Sequence, residues 1–558
     1  MLELQKYKNN FERFLIVLVI MCIIAYLIVY ATMNIFGFTL FCDSDMYLDT
    51  LIAKLMWEQK TLFPDGWVFG NQFYVIATPV LAALLYGMIG NVNTAMVLAT
   101  EIMTFFILLS FWKLLRALTK DCLAIAVGCM LLLSSIIAPN TPYSFTSQLF
   151  FLQASYYACY LITFCVVLGD YIRSFQGNKV SISWIFSLLL CFATGMQSLR
   201  QTVIMVLPIL VCELFLAFRR LIYRQKPWSE GNYSSLIHAF SYGIANILGL
   251  ITINLLNIPN TSIYGNTQLT PITQILKKIP PILECLFEIT GLNFGFAQGA
   301  PLLLIFFSIS LVLLFSISLV LWVVHIKAQE TPLKLCWLVC LVGIIGVSLS
   351  TVFTNTNIRT IYLFLWYPLA ALSAITILLK IPRKYKYTLA LLLCVFSFGN
   401  LFYSYKYGAE LALQNDSSLA GRAFRKARDY GYRSYAETLD NHENAKQMCQ
   451  WAMDGGYEYL YGDWITVPHV AVHSDGKLEA GCWKEGEVFQ ILGYINLQNI
   501  YGTLENQNAL YIFTPDDEKT GLLAALERGI TLTKVAEFGE YIAYTSPIPL
   551  MQRGESTT

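Results

Sequence analysis

Eleven apolar blocks of membrane-spanning length run through this chain, and they restrict its fold more than any other feature. They fall at roughly 14–36, 94–116, 121–138, 148–169, 181–197, 201–221, 235–257, 301–325, 333–353, 359–379 and 387–403. About 17–25 apolar residues in a row suffice to cross a bilayer as a helix. The charge content agrees: 13% of the residues are charged, where soluble proteins carry about 25%. The fold class expected is a polytopic α-helical membrane protein embedded in the lipid bilayer. The chain has no basic domain and no basic patch interleaved with aromatics, which argues against nucleic acid as a partner.

A twelfth block, 73–90, is shorter and contains Pro79. Positive charge arbitrates whether it crosses, because Lys and Arg in short loops favour the cytoplasm. If 73–90 stays on one side, eighteen Lys and Arg of the membrane part fall inside and six outside. If it crosses, the split becomes seven and seventeen. The first arrangement is preferred. It makes 37–93 one long outer loop, puts 258–300 outside as well, and leaves the N-terminus in the cytoplasm. The run after Phe14, preceded by Lys6, Lys8 and Arg13, is too long for a signal peptide and lacks a small-residue cleavage site. It reads as an uncleaved first span. Within the outer loop, Leu48, Leu51, Ile52, Leu55 and Met56 form a helical stripe, the pattern of an interfacial helix. The segment 73–90 is the second helix expected to lie on or dip into the membrane.

Two parts follow: a membrane part, 1–403, and an extracytoplasmic α/β domain, 404–558. The tail is rich in charge, Gly and Tyr. A helix is expected at 417–430, a strand at 508–514, a helix at 518–529 ending at Gly529, and a hairpin over 531–546 turning at Gly539. His469 and His473 are expected on a strand or loop. The 14 cysteines are scattered, mostly within apolar blocks, and none has zinc-site spacing. Cys449 and Cys482 leave a disulfide open.

The candidate chemistry lies at the outer face. CDSDMYLDT, at 42–50, leaves the first span and at once presents Asp43, Asp45 and Asp49. A carboxylate fixed there can serve as general base toward an attacking hydroxyl. Ser44 or Asp45 can equally be the N-cap of the following helix. Arg200 and Arg359 each sit at the outer end of an apolar block, and an arginine near lipid calls for a partner. An anionic headgroup fits the planar fork of guanidinium donors. An ion pair or a snorkel to the interface fits too. Lys277 and Lys278 lie in a loop long enough to cover a site, or on a solvated face. Glu101 and Glu213 lie within spans, where either can pair with an arginine. Carboxylates, membrane-depth arginines and an outer tail together suggest a lipid-phosphate substrate, with a polyprenyl-phosphate sugar as the fitting class.

The stretch from Asp45 to Gly90 resembles the first outer loop of the GT-C superfamily of integral-membrane glycosyltransferases. Members carry an acidic motif just after the first span, then two juxtamembrane helices. In the mannosyl- and aminoarabinosyl-transferase branch an Asp-Glu pair precedes a tyrosine. Here Asp45 and Tyr47 match, Met46 stands where Glu is common, and Asp43 gives a D-x-D spelling. Arg359 with Tyr362 and Pro368, and Arg200 between Gly195 and Pro208, resemble further patterns of the superfamily. The resemblance implies inverting transfer of a sugar from a polyprenyl phosphate to a glycan, lipid or protein acceptor. It implies Asp45 or Asp43 as base, and Arg200 and Arg359 near the donor phosphate; Lys277 and Lys278, from the long outer loop, are further candidates for binding that phosphate. Some members use a divalent metal and others do not. A lipid-linked-sugar transporter or flippase, and a polysaccharide polymerase or ligase, stand as alternatives. No matched halves of the kind common in transporters occur in the sequence.

Overall fold

A computed structural model of the chain describes residues 2–40, 42, 44–65, 67–70, 72–137, 150–152, 155–175, 181–222, 233–260, 268–292, 302–324, 332–404, 435–464, 466–483, 488–489 and 508–550. The helices of the first part are α1 (Leu2–Gly37), α2 (Ser44–Glu58), α3 (Thr78–Ile89), α4 (Val92–Leu118), α5 (Cys122–Ile137), α6 (Ala158–Ser174) and α7 (Ile182–Gln197). They continue as α8 (Leu207–Ile222), α9 (Tyr233–Leu255), α10 (Ile272–Thr290), α11 (Leu302–Val324), α12 (Pro332–Phe353), α13 (Trp366–Lys380) and α14 (Arg383–Ser404).

Among the described residues, eight helical stretches are long and apolar enough to cross a membrane. The chain is a multi-pass membrane protein. The other three expected blocks correspond to α5, α6 and α7, helices of 16, 17 and 16 residues. Segment 73–90 yields α3, with only 12 residues. At 1.5 Å per residue it reaches about 18 Å, well short of a hydrocarbon core of about 30 Å.

The membrane helices pack through small residues. A Cβ on Gly195 of α7 would lie 2.2 Å from the Asn246 carbonyl oxygen of α9. One on Gly249 of α9 would lie 2.1 Å from the Phe192 oxygen of α7. The two backbones therefore touch through both glycines, as small-residue interfaces allow in membranes.

Beyond the bundle, α15 (Tyr435–Asp454), α16 (Thr466–Ala471) and α17 (Glu518–Glu527) accompany a five-stranded sheet. Its strands are β1 (Tyr459–Asp463), β2 (Glu479–Trp483), β3 (Ala509–Phe513), β4 (Thr533–Phe538) and β5 (Tyr541–Thr545), in spatial order β2-β1-β3-β5-β4. β1 pairs parallel with β2 and β3; β5 pairs antiparallel with β3 and β4. The expected strand, helix and hairpin of 508–546 are all present, and Gly539 turns the hairpin with φ 57°. The expected helix at 417–430 lies outside the described residues. His469 and His473 sit on α16 and the 3-10 turn after it rather than on a strand or loop. Cys449 and Cys482 are buried free thiols.

The sheet unit is not a detached appendage. One apolar core joins α2, α3 and the start of α4 to β1, β2, β3 and α15. Tyr47 donates to the Leu478 carbonyl and accepts from the Ala480 N–H. Lys54 donates to the Gly476 carbonyl, and Asn93 binds Asp475 and Val472. This corrects the expected environment of α2. Its stripe of Leu48, Leu51, Ile52, Leu55 and Met56 is buried in protein, because the C-terminal unit and α3 cover it in place of lipid. α3 does keep an exposed apolar face, with Leu84, Met88 and Ile89.

Candidate functional site

The chain leaves α1 in a short turn and starts α2 at Ser44, so Asp45 stands in the first helical turn. A carboxylate is favoured there by the helix dipole. Asp45 is exposed, yet enough protein surrounds it to strip hydration and raise its carboxyl above the ordinary range. The Arg359 guanidinium pulls it back down. The Arg359 charge is therefore near enough to act on Asp45, although 313 intervening residues separate them in sequence.

One turn on, Asp49 is buried and its Oδ1 accepts from the Tyr74 hydroxyl at 2.7 Å. Burial first, then Asp49, pushes the Tyr74 hydroxyl well above its ordinary value. It remains a proton donor at neutral pH. Beside Tyr74, the Gln72 Oε1 accepts from Arg200 Nη1 at 3.1 Å and from the Tyr160 hydroxyl at 3.3 Å. Arg200 also lies over the rings of Tyr157 and Tyr362, at 4.9 and 5.9 Å, within cation–π range.

Arg200 is positioned by the end of α7. The Gln197 carbonyl accepts from the Phe73 N–H, and its side-chain oxygen accepts from the Val75 and Ile76 N–H groups. Gln197 thereby ties the loop carrying Gln72 and Tyr74 to the helix end carrying Arg200. A short π-helix, Thr202–Val206, follows at once. Such bulges recur at functional sites. Thr202 donates to Asn246 of α9 at 2.5 Å.

Arg200, Tyr157, Tyr362, Thr356, Ile204 and Phe364 are among the residues around a pocket of about 200 Å³. Its walls are mostly apolar and hydroxylic, with one cation among them. Arg359 is exposed on the extended segment that links α12 to a 3-10 turn, Thr360–Leu363. α10 straps that segment. Lys278 Nζ donates to the Thr354 and Thr356 carbonyls at 3.1 and 2.8 Å, Thr270 binds Phe353 and Thr354, and Thr360 binds Glu288.

Asp45, Arg200 and Arg359 thus come together around the segment between α1 and α4. Lys278 reaches the same region with its ammonium committed to backbone carbonyls. Lys277, next to it on α10, is exposed and does not line the pocket. Asp43 lies outside the described residues. Within the bundle, Glu101 accepts from Asn34, and Glu213 from Tyr171. Among the described residues, no three His, Cys, Asp or Glu side chains gather in a metal-holding arrangement. Sequence reasoning missed Gln72, Tyr74 and Gln197. They are neutral polar residues with no spacing signature, and only their partners reveal them.

The whole architecture matches that of a solved enzyme. ArnT from Cupriavidus metallidurans in the apo state superposes with a TM-score of 0.53 at 10% identity, over 96% of this chain and 98% of that one. The chain has the ArnT fold. ArnT, a GT-C glycosyltransferase, has also been solved bound to undecaprenyl phosphate. That structure matches with a TM-score of 0.51 at 11% identity, covering 97% of this chain and 99% of ArnT. No protein-family profile matches the chain, and no curated sequence matches it. The ArnT likeness lies in the course of the backbone, extending from the membrane helices through the C-terminal sheet.

Proposed function

We propose that this protein is a membrane glycosyltransferase that moves a sugar from a polyprenyl-phosphate donor to an extracytoplasmic acceptor, with inversion. The observation that carries the reading is the convergence of Asp45, Tyr74, Gln72, Arg200 and Arg359 where α2 meets the Arg200 pocket. A carboxylate and two guanidinium groups at one end of a membrane bundle suit a phosphate and a hydroxyl reacting there. The ArnT fold, and ArnT's complex with undecaprenyl phosphate, support a lipid-linked donor.

In the proposed step, the acceptor hydroxyl oxygen attacks the anomeric carbon as the bond from that carbon to the phosphate oxygen breaks. The phosphate leaves with the bonding pair. The acceptor proton passes to Asp45, whose raised carboxyl is better matched to accepting it than an ordinary aspartate. Arg200 and Arg359 balance charge growing on the leaving phosphate, the role of preorganised cations in group transfer. Tyr74 and Gln72 hold Asp49 and Arg200 in place. Lys278 positions the Arg359 segment. Residues 1–403 form the catalytic membrane part, with the N-terminus cytoplasmic. Residues 404–558 form an extracytoplasmic unit that fastens α2.

The test is transfer from a panel of radiolabelled polyprenyl-phosphate sugars by purified wild type and Asp45→Asn. Loss in the variant of about 10²-fold or more is expected, with unchanged expression and membrane insertion. Equal transfer by both would remove Asp45 from the role of base.

A further inference from the structure

A second cavity lies away from Asp45, and Asp45 is not among its lining residues. It holds about 920 Å³ between the C-terminal ends of α4 and α6 and the start of α7. Those helices run across the bundle. α4 begins at the contact between Asn93 and the C-terminal unit, α6 begins beside Tyr157, and α7 ends at Gln197. Their other ends therefore face the opposite side of the membrane. Lys113, Arg116, Lys120 and Arg173 line this cavity, and among the described residues no carboxylate does. Arg173 also donates to Ser183 and lies 3.7 Å from Asp170. Arg116 lies over the Trp112 ring. The nearby Asp121 is taken by Lys386. Lys113 and Lys120 show no acidic partner among the described residues. Its lining also includes buried Leu114 and the exposed apolar side chains of Ile182 and Phe186.

We infer that this cavity seats the phosphate headgroup of an anionic phospholipid from the leaflet opposite the transfer site. Two features support a lipid over a free ion. The cations rim a concavity whose wall continues as apolar surface, so a phosphate can sit among them while its acyl chain follows Phe186 and Ile182. Both of those side chains are exposed on the bundle. The volume suits a headgroup with the first part of a chain, within the usual range of ligand sites. Basic pockets between helices on the cytoplasmic side are the expected form of such recognition. Occupancy would brace α4, α6 and α7, whose opposite ends carry the dock for the C-terminal unit and the Arg200 pocket. The inference does not depend on the proposed transfer reaction, because its readout is binding.

The experiment is native mass spectrometry of the full chain in detergent, titrated with phosphatidylglycerol or phosphatidylcholine. The variants are Lys113→Gln/Arg116→Gln/Lys120→Gln, the charge-preserving Lys113→Arg/Lys120→Arg, and Arg200→Gln. Wild type, the charge-preserving variant and Arg200→Gln should all hold phosphatidylglycerol in preference to phosphatidylcholine. The triple variant should bind it about tenfold more weakly or worse, with an unfolding temperature unchanged in lipid-free detergent. Equal binding by the triple variant would overturn the inference and leave these cations as topology signals alone. Loss in Arg200→Gln instead would assign the lipid to the transfer site. Complete displacement by inorganic phosphate would make a free ion the ligand and overturn the lipid reading.

Discussion

Gly195→Ala tests whether the α7–α9 contact positions Arg200. The added methyl carbon would meet the Asn246 carbonyl oxygen at 2.2 Å, while real Cβ contacts stay beyond 3.0 Å. The gap must open by about 0.8 Å. The opposing atom is helical backbone, so no side chain can swing aside. Overpacking of this kind costs about 1–3 kcal/mol. Asn246 also donates to the Cys191 carbonyl and accepts from Thr202, so its displacement is passed to the residue two positions after Arg200. A shift approaching 1 Å at a group that positions substrate can lower rate by about 10²-fold. The expected result is a drop of that order in kcat/KM for sugar transfer, weaker polyprenyl-phosphate binding and a lower unfolding temperature. Leu189→Ala is the control. It lies on the same helix with a side chain 61% exposed, and should change stability by less than about 0.5 kcal/mol. Wild-type binding and stability in Gly195→Ala would refute the close-contact argument. Lower stability with unchanged binding would separate the contact from the site.

Tyr74→Phe removes the donor to buried Asp49 at a cost of about 1–3 kcal/mol, and should lower both transfer and stability. Wild-type values for both would dismiss Tyr74 as a support of the site. Lys278→Gln should reduce transfer several-fold by loosening the Thr354–Thr356 segment, while Lys277→Gln leaves it unchanged; equal effects would contradict the assignment. Burial holds His442 down at about 4 and His473 at about 3, against 6.5 when unfolded. The unfolded state then binds more protons below pH 6.5, so stability is full above that pH and falls as pH drops toward 3–4, by about 2 kcal/mol per ring at pH 5. Limited proteolysis of the C-terminal unit at pH 7.5 and pH 5 reads this out; His442→Phe should reduce the dependence by about half, and an unaltered profile would count against it.

The sequence by itself determined the membrane class, because hydrophobic length is a local property and the bilayer imposes it directly. It also carried the hairpin at Gly539 and the helix ending before Gly529, where turn residues dictate the backbone. Asp45, Arg200 and Arg359 were legible as candidates because charge at the edge of an apolar block stands out. Tertiary structure alone decided that α2 lies beneath a sheet rather than against lipid. A stripe of apolar residues demands burial without naming what covers it. Tertiary structure also joined Asp49 to Tyr74, Gln72 to Arg200, and Arg359 to the neighbourhood of Asp45. Those pairings link segments far apart in the chain, and their energies come from close packing and directed hydrogen bonds that no local periodicity records.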